Sequence, residues 1–330
     1  MNNKNCPHIP VKTGMQGFSL IEFLVASALS MIVLLAVSSG YFTARSLNTA
    51  ATSRLNVQQD LRNASNQIVR DARMAGNFGC FNMSAYDAQA VIADSGSKDF
   101  LKLKGSGNML PAVRETDSLG VTDFEQSGKA LIFQYGIDTA SPNEATVVAS
   151  SCTNITKPGK QITDSKAALK TDGSQAGNIS IMKHEVNAYA VGTVGRQEGL
   201  YRFQLTDDGE WSNPQLLIKG IKGMKIRYFY VEKCPQTDVE SKAASAPTGN
   251  TQNQGQTLGE DETFTYSDEL PPKNPDLAKE TPASIELLLN SNDKRELGSI
   301  NAGGSNDNEV KIYRINATVR GGNKCADRLL

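Results

Sequence analysis

The stretch Gly17-Phe18-Ser19-Leu20-Ile21-Glu22-Phe23-Leu24-Val25-Ala26 opens an apolar run that continues to Ala44. Residues 23–44 are 22 residues without a formal charge. As an α-helix, a run of this length crosses a hydrocarbon layer of about 30 Å. The run therefore predicts a membrane-spanning helix, with Glu22 as the single acid at its start.

A short polar leader, residues 1–17, precedes this run, and its only formal charges are Lys4 and Lys12. Positive charge beside a membrane span tends to stay in the cytoplasm, so we expect the leader on that side. The 286 residues that follow Ala44 in the 330-residue chain are then exported. The sequence thus predicts a single-pass membrane protein with a large exported head.

The leader ends in glycine and is followed by phenylalanine, by glutamate at the fifth position and by a long apolar run. This pattern resembles the signal of type IV prepilins. The resemblance implies that prepilin peptidase cuts between Gly17 and Phe18 and that Phe18 becomes the N-methylated first residue of the mature chain. It also implies a role in subunit assembly for Glu22, the fifth mature residue.

The segment Arg70-Asp71-Ala72-Arg73-Met74-Ala75-Gly76-Asn77-Phe78-Gly79-Cys80 and the length of the chain resemble minor pilins of the PilW/PilJ kind. The resemblance implies the type IV pilin fold, an α+β fold in which a long N-terminal helix packs on an antiparallel β-sheet head. The implied parts are a leader at 1–17, a membrane and fibre-core helix at 18–44, the amphipathic half of the same helix at 45–79, and a disulfide-bonded head at 80–330.

The position of Glu22 has a physical meaning of its own. A carboxylate within a membrane span costs about 2.5 to 3.5 kcal/mol and tends to mark a site with a partner. The α-amino group at Phe18 of a neighbouring subunit would neutralise it, and only one axial register allows this pairing. Two alternatives stay open: Glu22 lies solvated at the membrane surface, or the run is an ordinary secretory signal cut after Ala36-x-Ser38.

Five cysteines occur in the chain, at Cys6, Cys80, Cys152, Cys234 and Cys325. The first leaves with the leader, and four in an exported domain predict two disulfides with three possible connectivities. The minor-pilin resemblance implies Cys80 with Cys152 and Cys234 with Cys325. A zinc site is the alternative, but the chain has no CxxC motif and only one histidine outside the leader, His184.

The apolar residues after Arg45 recur at helical spacing, which predicts that the helix continues out of the membrane on one apolar face, formed by Leu47, Ala51, Leu55, Leu61, Ile68, Ala72 and Ala75. No proline occurs between Pro10 and Pro111, so we expect one helix from residue 18 to residue 75, ended at Gly76. The charges of this half are expected on its solvated face: Arg54, Asp60, Arg62, Arg70, Asp71 and Arg73.

Alternating apolar patterns between turn residues predict strands at 130–136, 145–150, 178–182, 186–194, 200–205, 216–218, 224–231, 284–289 and 310–319. Asp207-Asp208-Gly209 resembles a fragment of a calcium loop, but Asp-Gly between strands favours a hairpin turn. Residues 235–282 are polar and acidic, and they predict a long, loosely held insertion in which Phe264 and Tyr266 are nearly the only apolar anchors.

The sequence shows no signal for an enzyme. His184 is flanked by Lys183 and Glu185, which is more typical of a surface residue than of a catalyst. Gly105-Ser106-Gly107 is too short for a phosphate loop. We therefore expect no catalytic residues, no metal and no cofactor. The mature chain has 32 Lys and Arg, the 34 of the whole chain less two in the leader, against 35 Asp and Glu, so its net charge predicts no nucleic-acid partner.

The expected function, implied by the resemblance, is a minor pilin that helps to prime type IV pili, at the pilus tip, and so supports piliation, twitching, adhesion or DNA uptake. Its partners are then other minor pilins and the major pilin, contacted through the N-terminal helix, together with prepilin peptidase. Its location is the inner membrane with a periplasmic head, and later the pilus at the cell surface. The alternatives are a type II secretion pseudopilin of the J kind and a membrane-tethered periplasmic binding protein.

Overall fold

The computed structural model describes residues 17, 19–92, 99–105, 109–139, 146–159, 169, 179–233, 263–274, 277–291, 312–319 and 321–322. The chain divides into two compact units, Met1–Gln58 and Gln59–Leu330. The helix α1 (Leu20–Met74), which has 55 residues, contributes to both. In the first unit it is the only element that the described residues form.

Helix α1 is continuous because its sequence holds no proline and its polar side chains bond to its own backbone. The hydroxyls of Ser27, Ser30 and Thr43 donate to the carbonyls of Leu24, Ala26 and Ser39 at 2.9, 2.7 and 3.0 Å. Such bonds satisfy polar groups without an external partner, as an apolar surrounding requires. The helix ends before Gly76, whose φ of +75° favours glycine.

The second unit begins with the last turns of α1, and its described residues form three sheets. The smallest is the antiparallel pair β1 (Asn77–Phe78) and β2 (Phe81–Asn82). The largest has nine strands: β3 (Val91–Ile92), β4 (Val113–Thr116), β5 (Glu125–Gln126), β6 (Ala130–Asp138), β7 (Val147–Ser150), β8 (Ile155–Thr156), β9 (Ser180–Val194), β10 (Gln197–Gln204) and β11 (Gln215–Lys219).

Strand β9 is the centre of the nine-stranded sheet. It pairs with β7 and β10 along one side and with β6 and β5 along the other, all antiparallel. Outside these lie β11, on β10, and β4, on β6. The pair β3 and β8 is parallel. The nine-stranded sheet is therefore mixed and not purely antiparallel, as was expected, because β3 pairs in parallel with β8, a strand from much later in the chain.

The third sheet has four antiparallel strands, ordered β13-β12-β14-β15: β12 (Gly223–Lys233), β13 (Thr263–Ser267), β14 (Ser284–Asn290) and β15 (Ile312–Thr318). Strand β13 and a 3-10 helix (Leu277–Lys279) lie within the stretch expected as a loose insertion. Residues 235–262, 275 and 276 of that stretch lie outside the described residues. Other 3-10 turns are Met83–Ala85, Ala88–Ala90 and Asp99–Leu101.

The main core of the head joins α1 to both large sheets. Ala64, Ile68 and Ala72 of α1 are buried together with Tyr189 of β9 and Tyr228 of β12. The three helix residues are spaced by four along α1, so they form one face. This confirms the apolar face from residue 61 onward. Leu47 and Leu55, which were expected on the same face, are 67% and 64% exposed, so this earlier part of the face is not buried.

One strand prediction was wrong. The sequence predicted two strands at 178–182 and 186–194, and the structure has β9 running unbroken through the polar residues between them. Glu185 accepts a hydrogen bond from the amide of Gln204 and lies 3.4 Å from the ammonium of Lys183. Because neighbouring side chains satisfy these polar groups, the strand does not need to end there.

A disulfide joins Cys80, in the turn between β1 and β2, to Cys152, which follows β7. This is the pair that the minor-pilin resemblance implied. The same two loops are also joined by the hydroxyl of Ser150, which donates to the carbonyl of Phe78 at 2.7 Å. The other expected pair, Cys234 and Cys325, lies outside the described residues.

Candidate functional site

The predicted cleavage site lies at the start of the described chain. Gly17 is exposed, and a β-carbon built on it would meet no atom within 4 Å. The fold around Gly17 therefore does not require a glycine at this position. Phe18 lies outside the described residues. Among the described residues, packing therefore gives no reason for the glycine at this position.

Glu22 caps the helix that it introduces. Its Oε2 atom accepts a hydrogen bond from the backbone N–H of Ser19 at 3.0 Å, and the backbone N–H of Phe23 donates to the carbonyl of Ser19 at 3.2 Å. Ser19 is thus the N-cap and Glu22 is the third helical residue, as in the carboxylate half of a capping box. The sequence analysis did not identify this bond, although the Ser-x-x-Glu spacing signals it.

The membrane-length part of α1 exposes its large apolar side chains on every face. Among them are Leu20, Phe23, Leu24, Ile32 and Phe42, all more than half exposed. By length and composition this helix is able to cross a membrane. Apolar surface of this extent is stable only when lipid or other helices cover it.

A comparison with protein families matches residues 12–38 to the prokaryotic N-terminal methylation motif. The match spans Gly17, Phe18 and Glu22 and the first part of the exposed helix. The match covers 27 of the 330 residues and supports a type IV pilin-like N-terminal segment. Its motif and its apolar helix are consistent with membrane anchoring. No curated protein and no solved structure matches the chain, so the subfamily rests on other arguments.

The head holds the last turns of α1 by a buried carboxylate. Asp71 of α1 is 0% exposed. Its two oxygens accept the hydroxyls of Tyr135 at 3.0 Å and Tyr189 at 2.6 Å, and Arg202 approaches within 3.9 Å. Burial and the charge of Asp71 raise the pKa of both tyrosines, so both stay protonated donors. The expectation that Asp71 lies on the solvated face was wrong, because three strand residues supply its partners.

His184 is buried as well, at 3% exposure, and its expected place on the surface was wrong. Its Nε2 lies 3.2 Å from the Oε1 of Gln134, which also accepts a bond from the guanidinium of Arg114 at 3.3 Å. Burial, and secondarily the charge of Arg114, lower the pKa of His184 to about 3. The neutral imidazole is a packed strand residue with no reacting partner among the described residues.

Mild acid is expected to destabilise the head through His184. Its folded pKa lies below its unfolded value of about 6.5, so protons bind the unfolded chain more tightly. With respect to His184, the head has its full stability above about pH 6.5 and loses stability as the pH falls toward 3. At pH 5 the loss is about 2 kcal/mol. It is measured by urea unfolding of the mature chain in detergent micelles, followed through Trp211, the only tryptophan.

The control for this prediction is His184→Gln, which keeps a polar amide beside Gln134 but does not titrate. The variant is expected to lose less stability between pH 7.5 and pH 5 than the wild type, by the amount assigned to His184. Equal losses in both proteins would show that other groups cause the acid sensitivity.

Among the described residues, no three His, Cys, Asp or Glu side chains form a group that could hold a metal ion. Asp207, which was compared with a calcium loop, accepts a bond from the backbone N–H of Thr146 at 2.8 Å. Gly209 beside it has a φ of +75°, as the predicted turn requires. This carboxylate therefore fastens the turn to the start of β7.

Proposed function

We propose that this protein is a minor pilin that helps to prime the assembly of type IV pili together with other minor pilins, and that it is not an enzyme. The match to the methylation motif over residues 12–38, in front of an exposed apolar helix, carries the proposal. The head supports the minor role. Its two large sheets have nine and four strands, and so bulky a head suits a subunit used in few copies.

The proposed mechanism begins with the cut between Gly17 and Phe18 and the methylation of the new amino group. The apolar helix then leaves lipid for a bundle of similar helices, and the heads face outward. In this bundle Glu22 pairs with the α-amino group of a neighbouring Phe18. A carboxylate has four acceptor positions, so Glu22 can keep its bond to the Ser19 N–H and still accept the neighbour.

Electron microscopy of a deletion strain, with and without the retraction motor, tests the proposed function. We expect few or no pili when the motor is present and more when it is absent, because slow initiation is then no longer opposed by retraction. Normal pili in both strains, together with loss of protein secretion, would contradict the proposal and favour a type II secretion pseudopilin.

Substitution of Glu22 separates its two contacts. Glu22→Gln keeps an oxygen that accepts the Ser19 N–H but removes the charge, whereas Glu22→Ala removes both. If charge pairing guides assembly, both variants are cleaved normally. Both are expected to recover at least about tenfold less partner pilin, because the α-ammonium of the neighbouring Phe18 loses its partner and an unpaired charge in an apolar surrounding costs about 2.5 to 3.5 kcal/mol. The measurement is co-purification from solubilised membranes. Normal recovery with Glu22→Gln would assign the residue to helix capping alone.

A further inference from the structure

The four-stranded sheet of the head, ordered β13-β12-β14-β15, ends in two strands that each have one described partner. Strand β13 pairs with β12, and β15 pairs with β14. No residue of β13 is buried, the strand carries no charge, and its Phe264 and Tyr266 are 59% and 65% exposed. An exposed, uncharged edge strand is a ready site for pairing with a further strand.

On β15, the residues that direct their backbone groups outward are exposed. The backbone N–H of Val319 donates to the carbonyl of Ala283 at 2.9 Å, so the backbone groups of Val319 face β14. Because backbone groups alternate in direction along an antiparallel strand, those of the even-numbered residues point away from β14. These residues are all exposed: Arg314, Asn316 and Thr318. The burial pattern of β15 therefore agrees with an open edge.

On β13, the same reasoning identifies the outward-directed residues. The carbonyl of Phe229 on β12 accepts the N–H of Ala283 at 2.7 Å, so the backbone groups of Phe229 face β14. Its register partner on β13 is Tyr266. Because two opposite residues in an antiparallel pair direct their backbone groups either toward each other or both away, those of Tyr266 point outward, as do those of Phe264. Both edges thus present backbone donors and acceptors beside exposed side chains.

The two edges are complementary in direction. Strand β12 is antiparallel to both β13 and β14, and β14 is antiparallel to β15, so β13 and β15 run in opposite directions. A second copy of this chain in the same orientation therefore places its β15 antiparallel to β13, as the pattern of the sheet requires. The outer faces of both sheets also stay on one side, because the outward-directed residues of each edge have their side chains there.

Charge favours one register between these edges. Asp268 directly follows β13, and Arg314 lies near the start of β15, so an antiparallel pair brings the two together. Their side chains are 43% and 56% exposed, and they already contact Lys225 at 2.8 Å and Glu286 at 2.9 Å. The new contact therefore extends an existing charge network. It selects the register, while the backbone hydrogen bonds supply the attraction.

We propose that β13 of one copy pairs with β15 of a second copy in the same orientation, so that two four-stranded sheets become one. The register that matches the charges joins three residue pairs: Phe264 with Thr318, Tyr266 with Asn316, and Asp268 with Arg314. Two different surfaces meet in this contact, so it is head-to-tail and not two-fold symmetric. The inference goes beyond the proposed function. It needs only neighbouring copies whose N-terminal helices are parallel, as in one membrane.

The test uses two full-length copies of the chain with different C-terminal tags, made together in one cell. One copy carries Phe264→Cys and the other carries Thr318→Cys. Residues that exchange hydrogen bonds in an antiparallel pair have Cα atoms about 5.5 Å apart, which suits a disulfide. We expect mild oxidation of the membranes to join the two tags. The same tagged chains without an added cysteine give the background from Cys234 and Cys325.

Two mixtures are the matched controls. Phe264→Cys combined with Gln215→Cys, at an exposed site on the edge strand β11, is expected to give the background only. Phe264→Cys on both copies is also expected to give the background, because like edges do not meet in a head-to-tail contact.

A proline on β15 tests the backbone contact. The N–H of Asn316 points away from β14, so Asn316→Pro removes a donor that the fold of the head does not use. In the copy that carries Thr318→Cys, this change is expected to lower the joined product at least about fivefold, because a main-chain hydrogen bond is lost. Asn316→Thr keeps the N–H and is expected to leave the product unchanged. Unfolding followed through Trp211 shows whether each head is intact.

Four outcomes would overturn the proposal: no product above background, an equal product from Phe264→Cys on both copies, a product with another protein in place of the second copy, or full product with Asn316→Pro in a folded head. The deletion experiment tests the proposed function separately. Normal pili on deletion would refute that function and not this contact, whereas loss of pili without a joined product would refute the contact alone.

Discussion

Replacing Asp71 with alanine is expected to lower the free energy of unfolding of the head by about 3 to 5 kcal/mol. The carboxylate of Asp71 is fully buried between Tyr135 and Tyr189, and Arg202 lies beside it. Its removal leaves two buried hydroxyls without their acceptor, at about 1 to 3 kcal/mol each, and takes away the ion-pair partner of the Arg202 guanidinium. Urea unfolding of the mature chain, followed through Trp211, measures the effect.

The matched control for Asp71 is Arg73→Ala, two residues along the same helix but exposed, for which we expect a change within about 0.5 kcal/mol. A double-mutant cycle with Asp71→Asn and Tyr189→Phe isolates the single bond at 2.6 Å. If Asp71→Ala costs no more than Arg73→Ala, the buried carboxylate does not fix α1 on the sheet. The arrangement of helix and strands then depends on apolar packing alone.

The helix could be predicted from the sequence because its signal is local. A long uncharged run, the absence of proline and a terminal glycine each act within a few residues, and the helix ends where Gly76 predicts. Strands such as β6, β10 and β12 were also found, since short runs rich in apolar and aromatic residues between turn residues are typical of strands. Local patterns therefore gave the elements but not their partners.

The partners of Asp71 could not be predicted, because they are 64 and 118 residues away in the chain. An aspartate near the end of a helix is usually exposed, and only the register of β6 and β9 shows otherwise. The continuity of β9 through His184 could not be predicted for the same reason. A cavity beside β4 draws its walls from residues 105 and 109–115 and from residues 270, 271, 278 and 280–282, so no single stretch of sequence indicates it.

The proposed cleavage motif lies at the other extreme, since Gly17, Phe18 and Glu22 lie within six residues, and in the proposed function prepilin peptidase reads them as an extended signal. Their meaning does not depend on the fold of the head. The structure adds that Glu22 also caps α1, a role visible in the sequence only as Ser-x-x-Glu. One residue thus serves the isolated chain and, in the proposed assembly, its neighbour.

Replacing Gly17 with valine is expected to leave the chain as an uncleaved precursor that keeps all 17 leader residues. The new side chain meets nothing within the chain, so the fold and the membrane helix stay intact. At the scissile bond, however, a β-branched side chain displaces the backbone, and a misplacement of about 1 Å at a reacting bond costs on the order of a hundredfold in rate. Intact-mass measurement of the membrane-bound chain gives the ratio of precursor to mature protein.

Gly40→Val is the matched control, because Gly40 lies on α1 and also has no atom within 4 Å of an added β-carbon. We expect this variant to be cut as fully as the wild type. Cells that make only the Gly17→Val chain are expected to resemble the deletion strain, since the leader blocks the amino group that Glu22 of the next subunit needs. Normal processing of Gly17→Val would remove the cleavage assignment. Pili formed normally from the uncut chain would instead remove the pairing between Glu22 and the freed N-terminus, and these two results are distinguishable in one experiment.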